Sequence, residues 1–354
     1  MKKVVAALLL LVIAVAAASG QDRGEERRVV VPVNVSFFPF YGFSPSVTVI
    51  NNLQLNIGIG YADELDGAAV GVVSVVGSSV RGAQVNVVNL AGGPVSGGQI
   101  GVVNGSLREV NGAQVGVVNL TGGSVSGTQV GVVNATLEEI RGPQVGVVNA
   151  SLGAVRGPQV GVVNAARQTS LQTGVVNASM DASGVQLGVV NVAARNSGAP
   201  IGVVSIVLQG GQTHVESWVD ETGLVSVGLI HGSLRTYNIY TVATDVKLET
   251  VALGLGLGVH FDGERSWTRI EAIGSSIHHA GDIFGSGPGL ERFCARAYVG
   301  YRLGPVALVG GVSFNYVMDL ANAGIEIAPL HGYEFPFSTD RHRFWPGVFV
   351  GVQI

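Results

Sequence analysis

Cysteine occurs once, as Cys294, and lysine all but vanishes after the first three residues, leaving only Lys247. A lone thiol excludes an intrachain disulfide framework and a Cys-based zinc site. From Gln21 onward one Lys and 17 Arg stand against 24 acidic residues, so the chain has no basic footprint for nucleic acid. Charged residues make up 12% and aromatics 6% of the 354 residues. The middle of the chain is almost uncharged, which leaves electrostatic steering of a charged partner little to act on. After residue 20 no stretch of 18 consecutive apolar residues remains, so the sequence predicts no transmembrane helix. Helix formers are scarce where Gly and Val dominate, which rules against a helical repeat.

The first 20 residues, MKKVVAALLLLVIAVAAASG, place two Lys before an apolar run that ends in small residues. That order predicts a secretory signal peptide over 1–20, with a polar leader over 21–28.

Fixed spacing organises residues 67–209. Six copies read GAQVNVVN, GGQIGVVN, GAQVGVVN, GTQVGVVN, GPQVGVVN and GPQVGVVN. Their asparagines, Asn89, Asn104, Asn119, Asn134, Asn149 and Asn164, recur every 15 residues before the spacing slips to Asn177 and Asn191. Ser74 and Ser205 end this column, and Val80, Val95, Val110, Val125, Ile140 and Val155 form a second one of equal period. Such periodicity marks a stacked repeat array. Fifteen residues are too few for a βαβ crossover and enough for one turn of a β-solenoid with two short strands. About ten rungs, stacked ~4.8 Å apart, are expected. The Asn column suits a turn in which each side chain bonds nearby backbone and its own copies above and below.

Alternation along Gln144–Asn149 sets Val145, Val147 and Asn149 on one face and Gln144, Gly146 and Val148 on the other. If Val145 and Val147 fill the core, then Val88, Val103, Val118, Val133, Val148 and Val163 form an outward apolar stripe, a candidate interface. The alternative is a flat two-sheet core containing both columns, with the Gly column giving the facing sheet room.

Period-two alternation returns on either side of the array. In 29–66, Leu53, Leu55, Ile57 and Ile59 alternate with Asn52, Gln54, Asn56 and Gly58, and these N-terminal strands are expected to pack with the C-terminal domain, 210–354. There, seven segments alternate: 222–232, 235–246, 248–261, 266–278, 292–303, 305–317 and 343–354. An apolar face opposite a small or polar face, over strands of about ten residues, is the pattern of a transmembrane barrel; a soluble sandwich is the alternative. Arg292, Arg296 and Arg302 share one strand face, either lining a polar lumen or pairing with carboxylates such as Glu271 or Glu291. The fold class expected is all-β, a β-solenoid joined to an outer-membrane-type antiparallel β-barrel or sheet domain.

No catalytic, cofactor or metal residues stand out. His278-His279 is the only histidine pair, but adjacent strand residues point to opposite faces and no H-x-H or H-x-x-x-H spacing occurs. Gly254, Gly256 and Gly258 lie in an alternating strand, not in a strand-turn-helix phosphate loop. Asp262 and Glu264 form a carboxylate pair in a hairpin turn, where such residues are ordinary.

The G-x-Q-x-G-V-V-N units, preceded by NNLQLNIGIGYADELDG and followed by LRTYNIYTVATDV, resemble the bacterial surface-repeat proteins built from G-x-Q-x-G-x-x-N repeats. The resemblance covers nearly everything after residue 30. It implies an exported outer-membrane or cell-surface protein with no assigned catalytic residues and no cofactor. The expected role is non-enzymatic, structural or adhesive, with a membrane and a protein or surface glycan as partners. A small channel with an Arg-lined lumen and an extracellular enzyme on a solenoid scaffold are the alternatives.

Overall fold

The computed structural model describes residues 27–37, 47–282, 289–319 and 323–354. The stretches expected to form a signal peptide and most of a leader lie outside them. The chain divides into two compact units, Met1–Asp181 and Ala182–Ile354, and among the described residues every regular element is a strand.

In the first unit the 15-residue period becomes one turn of a parallel β-solenoid. Val80 pairs with Val95, Val95 with Val110 and Val110 with Val125, and the column continues through Ile140 to Val155. Each rung contributes two short strands, such as Val95–Ile100 and Val103–Ser106, which pair with the equivalent strands of the neighbouring rungs. Where the period drops to 13 after Asn164, register shifts between Ser151 and Ala154 and between Val155 and Pro158 take up the difference, as β-bulges do.

The N-terminal strands belong to this sheet and not to the C-terminal domain. Arg27–Ser36 pairs in parallel with Val47–Asn56. The reason is the period itself: Leu65 lies 15 residues before Val80, in the same buried core cluster, so the array starts earlier than its GVVN signature.

The interior of the array inverts the hydropathic expectation. Gln144 and Asn149 are fully buried, whereas Val145 and Val147 are 40% and 45% exposed. Gln144–Asn149 is not one strand: the chain turns a corner between Val145 and Val148, so alternation does not carry across. The core holds the Val80-to-Val155 column, a Gln column and the Asn column, closed by Ser106, Thr121, Thr136 and Ser151.

Two amide ladders make that polar core possible. Each Asn Nδ2 from Asn89 to Asn164 donates to the Oδ1 of the next Asn in the column at 2.8–2.9 Å, and from Asn89 to Asn149 also to a backbone carbonyl 11 residues on, as from Asn119 to Val130. The Gln column runs the other way, each Nε2 from Gln99 to Gln172 donating to the Oε1 one rung earlier at 2.7–2.8 Å. Thr121 and Thr136 hydroxyls supply further donors to Gln114 and Gln129. Stacked amides of this kind satisfy one another along the axis as in cross-β ladders, which removes the penalty of burying an unpaired polar group.

In the second unit, β-pairing closes eight antiparallel strands into a barrel: Gln212–Asp220, Val225–Gly232, Thr236–Thr244, Thr250–Asp262, Ser266–His279, Leu290–Leu303, Val306–Met318 and His342–Gln353. Closure pairs the first strand with the last, Glu216 opposite Gln353. The last rungs, also in this unit, bond to the barrel through Asn238 Nδ2 to Gly202 O at 2.6 Å, Tyr240 OH to Val203 O at 3.0 Å and Ser233 Oγ to Gly198 O at 2.9 Å.

Candidate functional site

Two surfaces carry chemistry: the inside of the barrel and one edge of the array. Along the barrel strands one set of apolar side chains points out, and another, including Ile230, Ile239, Val309 and Phe349, is buried inside. Val227, Val242, Ile270, Val299, Val312 and Val350 are 49–66% exposed. The inward positions carry Glu216, Trp218, Tyr237, Arg269, Glu271, Arg292, Arg296 and Tyr298, all buried.

These inward groups form two networks. Arg296 reaches Glu216 at 2.9 Å and Glu271 through its Nε, and its guanidinium lies 4.1–4.9 Å from the ring centroids of Trp218, Phe349 and Tyr298. Tyr298 OH donates to Glu271 at 2.7 Å and Tyr237 OH to the same oxygen at 2.6 Å. Arg269 bonds Gln353, Gln212 and His260 at 2.6–3.1 Å and lies over Trp267. Towards the other end, Arg292 reaches Asp220 at 2.7 Å and Glu221 at 3.3 Å, and Asn315, Trp345 and Ser313 also donate to Glu221.

Of the three sequence-selected arginines, Arg292 and Arg296 are therefore interior and ion-paired. Arg302 is not: it is 39% exposed and pairs with Asp262 and the Gly263 carbonyl at a turn, because it lies at the end of the same strand, beyond the filled section. Glu291 bonds Ser276 and takes no arginine. An eight-stranded barrel is only wide enough for side chains to fill; a void of about 40 Å³ lies beside Trp218 and Arg292, and a larger one of about 250 Å³ opens beyond Arg269 towards Gln212 and Ile354. Sequence reading missed Glu216, Asp220 and Glu221, all on or just after the first strand, and Arg269. Among the described residues no group of three His, Cys, Asp or Glu side chains is placed to hold a metal.

The edge of the array is the second surface. Of the candidate stripe, Val88, Val103, Val118, Val133 and Val148 are half-buried and Val163 is 36% exposed, so the column protrudes less than the positions that flank it. The exposed ridges are the two flanking positions at the corner, Ile100, Val115, Val130, Val145 and Val160 on one side and Val102, Val117, Val132, Val147 and Val162 on the other, all 38–50% exposed. Between them the Gly101, Gly116, Gly131, Gly146 and Gly161 column forms the floor of a trough of about 1010 Å³.

These glycines are required by the ladder beneath. A Cβ on Gly131 would lie 2.4 Å from Gly116 O and 2.7 Å from Asn119 Nδ2, neither of which can withdraw without breaking a rung. Gly131→Ala is therefore expected to lower array stability by about 1–3 kcal/mol, the range for overpacking, read as a fall in the urea midpoint of the array. An unchanged midpoint would show that the corner has slack.

Charge sits on the opposite corner, where Arg156 and Arg141 flank Glu139. Desolvation works to raise the Glu139 carboxyl, and the two guanidinium groups outweigh it, holding it below the ordinary carboxylate range.

Among the described residues no helix is long and apolar enough to cross a membrane. Comparison with protein-family models, with curated proteins and with solved structures finds no match to this chain.

Proposed function

We propose that this is a non-enzymatic outer-membrane repeat protein, in which the barrel is a membrane anchor and the array is a structural or adhesive contact surface. The observation that carries this reading is the outer face of the barrel, where apolar side chains point out from every strand, while the interior combines ion pairs with buried aliphatic and aromatic side chains. In water that arrangement would expose a continuous apolar belt; in a bilayer it matches the solvent. Outward aromatics support it. Phe293 and Tyr301 lie near opposite ends of one strand and are about half exposed, roughly 27 Å apart along an extended strand and close to the ~25 Å apolar band of such barrels after tilt. The filled interior favours an anchor over a conducting channel.

The ends of the barrel differ. The connections 233–235, 263–265 and 304–305 are short and lie at the end where the chain enters at Gln212 and finishes at Ile354, whereas 280–289 and 319–341 at the other end are long. Outer-membrane barrels turn short connections to the periplasm and long ones outward, so on this reading the chain passes from array to barrel on the periplasmic side, which favours the structural role of the array over the adhesive one.

The test is fractionation and labelling of cells expressing the full chain. Detergent-only extraction and a gel-mobility shift on boiling are expected. In a Cys294→Ser background, Lys247→Cys in a long-loop-end connection should react with an impermeant maleimide in intact cells, and Ser126→Cys in the array only after permeabilisation. Release into buffer without a mobility shift would sink the anchor; labelling of Ser126→Cys in intact cells would reverse the orientation.

A further inference from the structure

The trough along the array has the attributes of a protein interface, and we propose that it pairs with the same trough of a second copy of this chain. This rests on the array alone and not on the membrane reading.

The trough is uncharged. From Gln114 to Thr121, and from Gln129 to Leu137, no residue carries a charge, so a partner finds no ion to desolvate. Its exposed apolar area is large. Two aliphatic side chains per rung at 38–50% exposure, over some six rungs, present on the order of 800 Å², above the ~300–600 Å² patch of a typical monomer and equal to one side of a standard interface.

Shape then selects the occupant. Two ridges stand either side of a glycine floor, and their knobs repeat once per rung, ~4.8 Å apart. A two-fold axis sets one ridge of each copy into the furrow of the other, so the same patch serves both sides, as an isologous dimer requires. The interdigitation is that of a dry steric zipper. A second copy matches the knob spacing rung for rung, which a single acyl chain or a flat bilayer surface does not. The half-buried Val118 and Val133 column flanks the trough and widens the apolar contact.

The experiment is cross-linking in cells expressing the full chain with Cys294→Ser. Val132→Cys at the trough should give a covalent dimer with a short bismaleimide, and Ser126→Cys, at the far end of the strand that carries Val130, should not. Adding Val117→Glu and Val147→Glu should reduce the dimer by more than about a hundredfold, since each buries an unpaired carboxylate at the interface. Both sites are exposed in one copy, so circular dichroism and the mobility shift on boiling should stay as in the parent. Absence of the Val132→Cys dimer overturns the proposal, as does a dimer indifferent to the two Glu substitutions. A purified parent that sediments as a monomer and binds neutral phosphatidylcholine vesicles, with binding lost in the Glu variant, would overturn it in favour of lipid.

Discussion

Asn119→Asp is expected to unfold the array at neutral pH, although the two side chains are nearly the same size. Asn119 Nδ2 donates to both Asn134 Oδ1 and Val130 O, while its Oδ1 accepts from Asn104. A carboxylate keeps the accepting half and loses the donating half, so two oxygens of the neighbouring rung face a fully buried negative charge. Stranding a buried charge in this way costs roughly 3–5 kcal/mol. Asn119→Ala, which leaves Asn134 Oδ1 without its donor but adds no charge, should cost less, roughly 1–3 kcal/mol. Acid should partly rescue the Asp variant. The neutral acid can donate one hydrogen bond, so folding holds the proton and raises the carboxyl above its unfolded value; the stability this preserves is present at low pH and is lost as pH rises through the folded value. Urea midpoints by circular dichroism at acidic and neutral pH measure both effects. An Asp variant as stable at neutral pH as the Ala variant would mean that the ladder is not dry.

The second large effect belongs to the barrel. Arg296→Met should destabilise it by roughly 3–5 kcal/mol, because Glu216 and Glu271, both fully buried, lose their shared cation. Arg269, 3.5 Å from Glu216, is the remaining guanidinium there. Adding Glu216→Gln and Glu271→Gln should recover much of the loss, since neutral amides tolerate the site, and the cycle isolates the coupling. The readout is the temperature or urea concentration at which the heat-modifiable form disappears. If Arg296→Met melts with the parent, the interior network is not what holds the barrel shut.

Most of the architecture is legible in the sequence, and the exceptions have physical causes. The strict period reveals a solenoid, and alternation reveals which barrel residues face out, because both depend on local geometry. The contents of the array core are not legible in this way. Hydropathy puts Val145 inside and Gln144 outside; the reverse holds because each buried Gln is satisfied by its copy in the adjacent rung, a property of stacking that no single rung displays. The corner at Gly146 also resets the alternation, so counting odd and even positions across it cannot put Gln144 and Asn149 on the same side, although both are fully buried. In the barrel, Gln212–Asp220 is hidden by its mixture of His, Glu and Trp. A signal for it was present: seven alternating segments after Gly210 cannot close an antiparallel barrel, which in single-chain outer-membrane proteins takes an even number of strands. The missing strand supplies Glu216, one of the two carboxylates that neutralise Arg296.

The two ladders run in opposite senses and each has a Ser hydroxyl at its far end, Gln84 donating to Ser74 at 3.0 Å and Asn191 to Ser205 at 3.5 Å. Every internal rung thus meets only replicas of itself, and the special chemistry is confined to the two ends. A gene encoding such a chain can gain or lose one whole unit by recombination between near-identical copies, and the protein that results has the same interior bonds per rung as before. Array length is then a heritable variable, free to differ between lineages while the barrel stays constant, and the 13-residue unit between Asn164 and Asn177, which keeps both ladders, shows that a bulge absorbs a shorter unit.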